Sequence, residues 1–166
     1  MKIVCLLFVF QSLLTVAYSQ SVKVNETDKV TGQQKIETDY ASIVSDYPIY
    51  LGIRYRSAGA SCFIEFRGSD IGVGIIEPRD GLIIQLEDSS RVTIYPTSKQ
   101  DFTLDDNHRY YSHVYTIKKD QITKLSRQKS ISIRKYSNER FEDIAIPEKN
   151  RNAIMNLSAF FLKNIH

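Results

Sequence analysis

The chain has 166 residues, of which 42% are hydrophobic and 25% are charged, and its formal net charge is +3 at neutral pH. These values are ordinary for one globular domain with a sizeable core, and the small excess of positive charge is too weak to indicate nucleic acid as a partner. Ten tyrosines beside eight phenylalanines, with no tryptophan, are typical of a tyrosine-lined sheet surface in an exported β protein. A platform on which a ligand stacks is the alternative.

Residues 1–20 have the features of a signal peptide. Lys2 precedes an apolar run, and small residues near Ser19 have the spacing that a signal peptidase recognises, so we expect cleavage after Ser19 or Gln20. The apolar run is short for a bilayer span, and no later stretch approaches the roughly 18 apolar residues that a span needs. We therefore expect a mature chain that is secreted or periplasmic and has no transmembrane segment.

The segment after the signal peptide is polar. Residues 21–38 contain few large apolar side chains, and we interpret them as a leader or an edge segment ahead of a single domain over residues 39–166. Cys62 is the one cysteine of the mature chain, so no internal disulfide can form and the fold depends on its hydrophobic core. We interpret Cys62 as a buried small hydrophobe rather than a nucleophile or a partner in an intermolecular disulfide.

The first predicted hairpin has its turn at residues 57–60. Apolar side chains alternate along both arms, and the resulting register places Tyr55 opposite Cys62 and Ile53 opposite Ile64. One face of the hairpin is therefore expected to be continuously apolar.

Three arginines of this hairpin form a candidate ligand-binding site for an anion. Arg54 and Arg56 lie on the face opposite to the apolar one, and Arg67 lies on the neighbouring arm. The same register predicts Arg54 across from Phe63, with Glu65 diagonal to it. A surface cluster of ion pairs and cation–π contacts is the alternative interpretation of these residues.

A second hairpin is predicted around a three-residue loop, with Ile84 opposite Ile94 and Glu87 opposite Arg91. The glycine cluster at residues 68–74, between the two hairpins, lacks the third glycine of a dinucleotide fingerprint and the Gly-Lys ending of a phosphate loop. We interpret it as a turn or a bulge. The sequence indicates no cofactor.

The best candidate for a metal or catalytic cluster is formed by Asp105, Asp106 and His108. Aspartate and histidine are suitable ligands for a divalent ion, and Asp106 and His108 share a face if the segment is extended. His113 lies an odd number of positions from His108, so the two point to opposite faces of one strand. A solvated turn leading into an aromatic strand over residues 108–117 is the alternative.

The C-terminal segment predicts a hairpin flanked by two helices. Residues 118–128 fit a short helix with Ile122 and Leu125 facing inward, and an amphipathic helix is expected to begin after Pro147. Residues 130–136 and 141–146 form the hairpin between them. Its register is well specified, because a one-residue slip would lose all of these cross-strand pairs: Ile131 with Ile146, Ile133 with Ile144, Arg134 with Asp143, and Lys135 with Glu142.

Several segments of the C-terminal region together resemble an arrangement found in other proteins. They are a strand ending Tyr115-Thr116-Ile117, the helix with Ile122 and Leu125, and the hairpin arms Ile131-Ser132-Ile133-Arg134 and Phe141-Glu142-Asp143-Ile144. This arrangement covers roughly the final third of the chain, and it resembles small uncharacterised exported proteins of Bacteroidota-type bacteria. The resemblance implies export and an α+β fold, and it brings no catalytic residues.

We predict an α+β fold: one mostly antiparallel, sheet-rich domain of about seven strands with a short internal helix and a C-terminal amphipathic helix. Whether the internal helix joins parallel strands is left open. No nucleophile elbow, His-Glu-x-x-His or Cys-x-x-Cys motif is present, which favours an exported non-enzymatic binding or assembly module. Its partner would be another exported protein or a second copy of the chain.

Two alternatives of other classes are retained. One is a small metal-dependent or hydrolytic enzyme that uses the Asp105, Asp106 and His108 cluster, since catalytic groups can assemble without a local motif. The other is a structural subunit that associates with itself through the C-terminal helix or through a sheet edge.

Overall fold

The computed structural model describes residues 20–45, 50–69, 75–100, 102–105, 108–137 and 140–165, and the predicted signal peptide lies outside these residues except for Gln20. The described residues form eleven strands, two α-helices and one 3₁₀ turn. The strands are β1 (Val22–Thr27), β2 (Gln34–Thr38), β3 (Ala41–Val44), β4 (Tyr50–Ala58), β5 (Ser61–Ser69), β6 (Leu82–Leu86), β7 (Arg91–Pro96), β8 (Phe102–Asp105), β9 (His108–Thr116), β10 (Ser130–Ser137) and β11 (Arg140–Ala145). The helices are α1 (Lys119–Leu125) and α2 (Asn152–Asn164), with the 3₁₀ turn at Glu148–Asn150.

The predicted α+β class and the sheet-rich character are confirmed, but the predicted number of about seven strands was wrong. The additional strands are β1, β2, β3 and β8. These strands are short or polar, so they contain too few large apolar side chains to mark an inward face. Their backbone pairing therefore leaves almost no signal in the sequence.

Every strand pair among the described residues is antiparallel, and the strand order is β1-β2-β4-β5-β9-β7-β6-β10-β11. In addition, β3 pairs with β4 and β8 pairs with β9. Helix α1 leads from β9 to β10, which are separated by β7 and β6. The internal helix is therefore no crossover between adjacent parallel strands.

The edge of β4 is covered by two strands placed end to end. β2 pairs with β4 from Arg56 to Ala58, and β3 pairs with it from Leu51 to Ile53. The chain leaves the ladder only between these two strands, at Asp39 and Tyr40. This interruption forms a corner that places Tyr40 over one face of the sheet.

The sheet is strongly curled. Leu51 of β4 and Ile144 of β11 line the same enclosed cavity, although six ladder steps separate their strands. Neighbouring strands lie about 4.8 Å apart, so a flat sheet would hold these residues nearly 30 Å from each other. The curl gives the sheet an inner, apolar face and an outer, polar face.

Helix α2 packs on the inner face. The ring of Phe161 stacks on Tyr55 with 4.9 Å between centroids, and the Tyr55 hydroxyl hydrogen-bonds to Ser158 at 2.7 Å. Ile122 and Leu125 of α1 are buried too, so both predicted helices and their inward faces are confirmed. The core also contains these strand residues: Ile53, Ile64, Phe66, Ile84, Val92, Ile94, Tyr115 and Ile133.

The predicted register of the β10–β11 hairpin is confirmed, including Ile133 opposite Ile144 and Lys135 opposite Glu142. In the other two hairpins the predicted register was wrong by two residues. Tyr55 lies opposite Ile64 rather than Cys62, and Ile84 lies opposite Val92 rather than Ile94.

The two errors have a common physical cause. A two-residue shift leaves every side chain on its original face, so the apolar pattern cannot distinguish the two registers. Turn geometry decides instead: Gly59 has a positive φ of 58° in a two-residue β4–β5 turn, and Ser89 has a φ of 67° in the β6–β7 turn. Only residues in the left-handed region permit such short turns.

Candidate ligand-binding cleft

The outer face of β4, β5 and β9 holds the arginines that the sequence singled out. Arg54 lies directly opposite Glu65, so its predicted position across from Phe63 was wrong. Arg67 occupies the neighbouring row, with Ser112 of β9 beside it. The two-residue shift of register therefore converts a diagonal contact between Arg54 and Glu65 into a direct pair.

Glu65 is the centre of a hydrogen-bond network although its carboxylate is almost fully shielded from water, with 4% of the residue exposed. Tyr40 Oη donates to it at 2.5 Å, Arg54 Nε donates at 2.7 Å, and the Ser112 hydroxyl donates to the same carboxylate. Burial alone raises the pKa of Glu65, but the hydrogen bonds from Ser112, Tyr40 and Arg54 outweigh it and hold this pKa below its usual value. Glu65 is therefore a structural carboxylate that stays ionised.

A second buried carboxylate completes the network. Glu37 of β2 accepts from Arg54 Nη1 at 3.1 Å and from Arg56 Nε at 3.2 Å. Two arginines and two glutamates thus balance each other on this face. These ion pairs neutralise the charges of Arg54 and Arg56. They also fix the positions of the two guanidinium groups.

Tyr40 covers this network from the corner between β2 and β3. Its ring lies 4.8 Å from the Arg54 guanidinium carbon, a cation–π geometry. Burial and the hydrogen bond to Glu65 raise the pKa of Tyr40 to about 12. The phenol therefore remains a donor at every physiological pH.

An open cleft of about 500 Å³ lies beside the network. Its lining includes Arg67 and Lys23, which are both exposed and have no ion pair within the described residues. Tyr110, 41% exposed, and Ser112 contribute the rest of one wall. Because Arg54 and Glu65 offset each other, Lys23 and Arg67 give the cleft an excess of two positive charges.

Of the three predicted ligand-binding arginines, the structure brings two to this cleft. Arg54 and Arg67 line it, whereas Arg56 lies one row further along β4 and pairs with Glu37. Sequence reasoning missed Tyr40 and Lys23. They reach the cleft through the β2–β3 corner and through β1, and nothing local in the sequence links either of them to Arg67.

The predicted metal cluster lies at the turn between β8 and β9. The backbones of Asp105 and His108 are directly opposite each other in the ladder, and Asp106 lies outside the described residues. Among the described residues, no group of three or more His, Cys, Asp or Glu side chains is arranged to hold a metal ion. Metal binding by this cluster stays a prediction.

A lysine is buried on the inner face. Lys135 is 4% exposed, its Nζ lies 3.9 Å from the centroid of the Tyr111 ring, and His113 stacks on that ring at 4.7 Å. Burial lowers the pKa of Lys135 to about 8, while Glu142 on the neighbouring strand opposes the shift. The sequence placed Lys135 opposite Glu142 correctly, but only the curl of the sheet buries it.

Cys62 is half-buried, and its burial raises the pKa of the thiol. A thiol with a raised pKa is a weak nucleophile at neutral pH. This environment favours the interpretation of Cys62 as a packing residue.

No protein-family model, curated protein or solved structure matches the chain. Within the described residues, no helix is long and apolar enough to span a membrane. The resemblance to exported Bacteroidota-type proteins stays a prediction. A proposal about function therefore has to rest on the residues that line the cleft.

Proposed function

We propose that the protein is an exported, non-enzymatic binding module whose ligand presents a negatively charged group to the cleft on the outer sheet face. The observation that carries this proposal is the pair Arg67 and Lys23, two exposed cations on the wall of one concave site. A carboxylate, sulfate or phosphate that enters the cleft meets both of them.

The surroundings of Arg67 favour binding over catalysis. The only carboxylate that lines the cleft within the described residues is Glu65, and it is already saturated by Tyr40, Ser112 and Arg54. A general base has to accept a proton from a substrate, and Glu65 is held ionised with a lowered pKa by donors that occupy its oxygen atoms. The cleft therefore offers donors and positive charge, which are properties of a recognition site.

The backbone of the site and the side chain of Arg54 are also held in place. Arg54 is fixed by two carboxylates, and the ladder of β4, β5 and β9 holds Arg67 between its neighbours. A preorganised site loses less conformational entropy when the ligand binds.

The two alternative functions have less support. The enzymatic alternative depends on Asp105, Asp106 and His108, and of these only two backbone positions are described. Self-association through the C-terminal helix is disfavoured by the burial of Ile154, Leu157 and Phe161 in the core. Self-association through a sheet edge stays a prediction.

Binding of three dextran polymers to the purified protein tests the proposal: carboxymethyl dextran, dextran sulfate and unmodified dextran. We expect the two anionic polymers to bind and the neutral polymer to bind much more weakly. The Arg67→Gln variant should lose affinity by at least about tenfold, because one charge-assisted contact is worth roughly 1.5–3 kcal/mol.

Arg127→Gln is the matched control, since Arg127 is an exposed arginine at the end of α1 and its loss changes the net charge equally. Equal losses in the two variants would mean that the polymer responds only to overall charge. That result would overturn the proposal, as would a lack of binding to both anionic polymers.

A further inference from the structure

A second concave site adjoins the cleft and has a different chemistry. A groove of about 390 Å³ runs between the β2–β3 corner and the first turns of α2. Its volume lies within the range of about 300–1,000 Å³ that is usual for small-molecule sites. Tyr40 lines both the groove and the cleft, so the two sites share one wall.

The polar lining of the groove consists mainly of amides, from the side chains of Asn150, Asn152 and Asn156. Asp39 and Lys149 contribute one charge of each sign, so the groove has no net charge. Each carboxamide both donates and accepts hydrogen bonds. A hydroxyl group also does both, so a ligand rich in hydroxyl groups matches this lining better than an ion does.

Part of this lining is fixed in position. Asn150 is 8% exposed and its Nδ2 donates to the Ile43 carbonyl at 2.8 Å, which sets the orientation of the amide. The Ser42 hydroxyl lies at the same wall and has no hydrogen-bond partner among the described residues. The Ser42 oxygen is buried, so it is an unsatisfied polar atom at this wall.

The remaining wall of the groove is apolar. The Tyr40 ring, Ala41 and Ala153 provide a surface on which the C–H face of a sugar ring can pack. The hydrogen bond from Tyr40 to Glu65 holds that ring between the two sites.

We propose that the groove binds the neutral, hydroxyl-bearing part of the same ligand whose negative group enters the cleft, so that the ligand is an acidic saccharide. This inference rests on the proposed function, because it assigns the negative group to Arg67 and Lys23. An acidic peptide would also supply the negative group, but an acidic peptide such as triglutamate has no ring whose C–H face could pack on the apolar wall of the groove.

Calorimetric titration with three probes tests the inference. Trigalacturonate has hydroxyl groups and carboxylates, its fully methyl-esterified form keeps the rings without the charge, and triglutamate keeps the charge without the rings. We expect trigalacturonate to bind at least tenfold more tightly than either of the other two probes. Galacturonate monomer, as a fourth titrant, distinguishes a free acidic sugar from a chain that needs several rings.

Variants distinguish ligand binding at the groove from ligand binding at the cleft. The Asn152→Ala/Asn156→Ala double variant changes two exposed side chains of α2, so the fold is retained, and we expect about a tenfold loss of trigalacturonate affinity. The affinity for triglutamate should stay the same. Gln33→Ala removes an exposed amide outside both sites and should change neither affinity.

The results distinguish failure of the saccharide inference from failure of the anion-binding proposal. If trigalacturonate and triglutamate bind equally well and the double variant binds both normally, while Arg67→Gln weakens both, the saccharide inference is overturned and the anion-binding proposal survives. If Arg67→Gln has no effect on any probe that binds, or if no charged probe binds, both proposals fail.

Discussion

The hydroxyl of Tyr40 donates a 2.5 Å hydrogen bond to the Glu65 carboxylate, across 25 positions of the chain. This bond ties the corner between β2 and β3 to the outer face of β5. It also determines where the Tyr40 ring stands, and that ring forms a wall of both the cleft and the adjoining groove. The shape of the candidate site therefore depends on the Glu65 network.

Removal of the Glu65 charge should destabilise the fold. Glu65→Gln leaves Arg54 in a largely shielded position without its direct carboxylate partner, and we expect a loss of about 3 kcal/mol in the free energy of unfolding. Urea denaturation measures this loss. The matched control is Asp143→Asn, which removes an exposed carboxylate that pairs with Arg134 at 2.7 Å and should change stability far less. Equal losses would show that the network has no special structural role.

The Glu65 carboxylate should also make the free energy of unfolding depend on pH in the acidic range. The pKa of Glu65 is lower in the folded state than in the unfolded state, so its contribution is complete above the unfolded value of about 4.3. It is lost as the pH falls through the folded-state value, because the proton then has to displace the hydrogen bonds. We expect the urea midpoint of the wild type to fall more steeply than that of Glu65→Gln between pH 5 and pH 3. Parallel curves would contradict this assignment.

Lys135 should also make stability rise with pH, but in the alkaline range. Its folded-state pKa of about 8 lies below the unfolded value of about 10.4, so the unfolded chain binds more protons between these values. The free energy of unfolding should therefore rise from pH 8 towards pH 10. Lys135→Met removes the penalty for burial and should stabilise the protein at pH 7 by about 2 kcal/mol.

The stabilisation by Lys135→Met should shrink by about 1 kcal/mol at pH 9, because the wild-type lysine is then mostly neutral. Lys129→Met provides the control, since Lys129 is exposed and its replacement should give no pH-dependent difference. A destabilised Lys135→Met variant would instead show that the contact with the Tyr111 ring outweighs the cost of burial.

A methyl group added at Gly68 should disturb the inner face. A Cβ at this position would meet the Tyr111 hydroxyl and would lie 2.8 Å from the Tyr50 carbonyl oxygen. The backbone cannot move aside as a flexible side chain can. We therefore expect Gly68→Ala to lower the free energy of unfolding by about 1–3 kcal/mol. A thermal midpoint equal to that of the wild type would show that β4 and β5 tolerate a wider separation.

The sequence predicted those elements whose stabilising contacts are local. The β10–β11 register followed from Arg134 opposite Asp143 and Lys135 opposite Glu142, because charge pairs distinguish registers that apolar faces cannot. The β4–β5 and β6–β7 registers were wrong because the decisive information lay in the backbone angles of Gly59 and Ser89.

The candidate site could be predicted only in part. Arg54 and Arg67 belong to one hairpin, so their shared face was visible in the sequence. Tyr40 lies at the corner between β2 and β3 and Lys23 lies in β1, so their approach to Arg67 depends on pairing between distant segments. The burial of Lys135 depends on the curl of the whole sheet, which no local pattern encodes.

The central claim is that an anion binds on the outer face of β4, β5 and β9. Amide chemical-shift mapping of the ¹⁵N-labelled protein during titration with a short carboxymethylated dextran tests it most directly. We predict that the largest changes will occur at Arg67, Ser112 and Tyr40, with none in α1. Changes centred elsewhere, or no saturable change at these residues, would contradict the account.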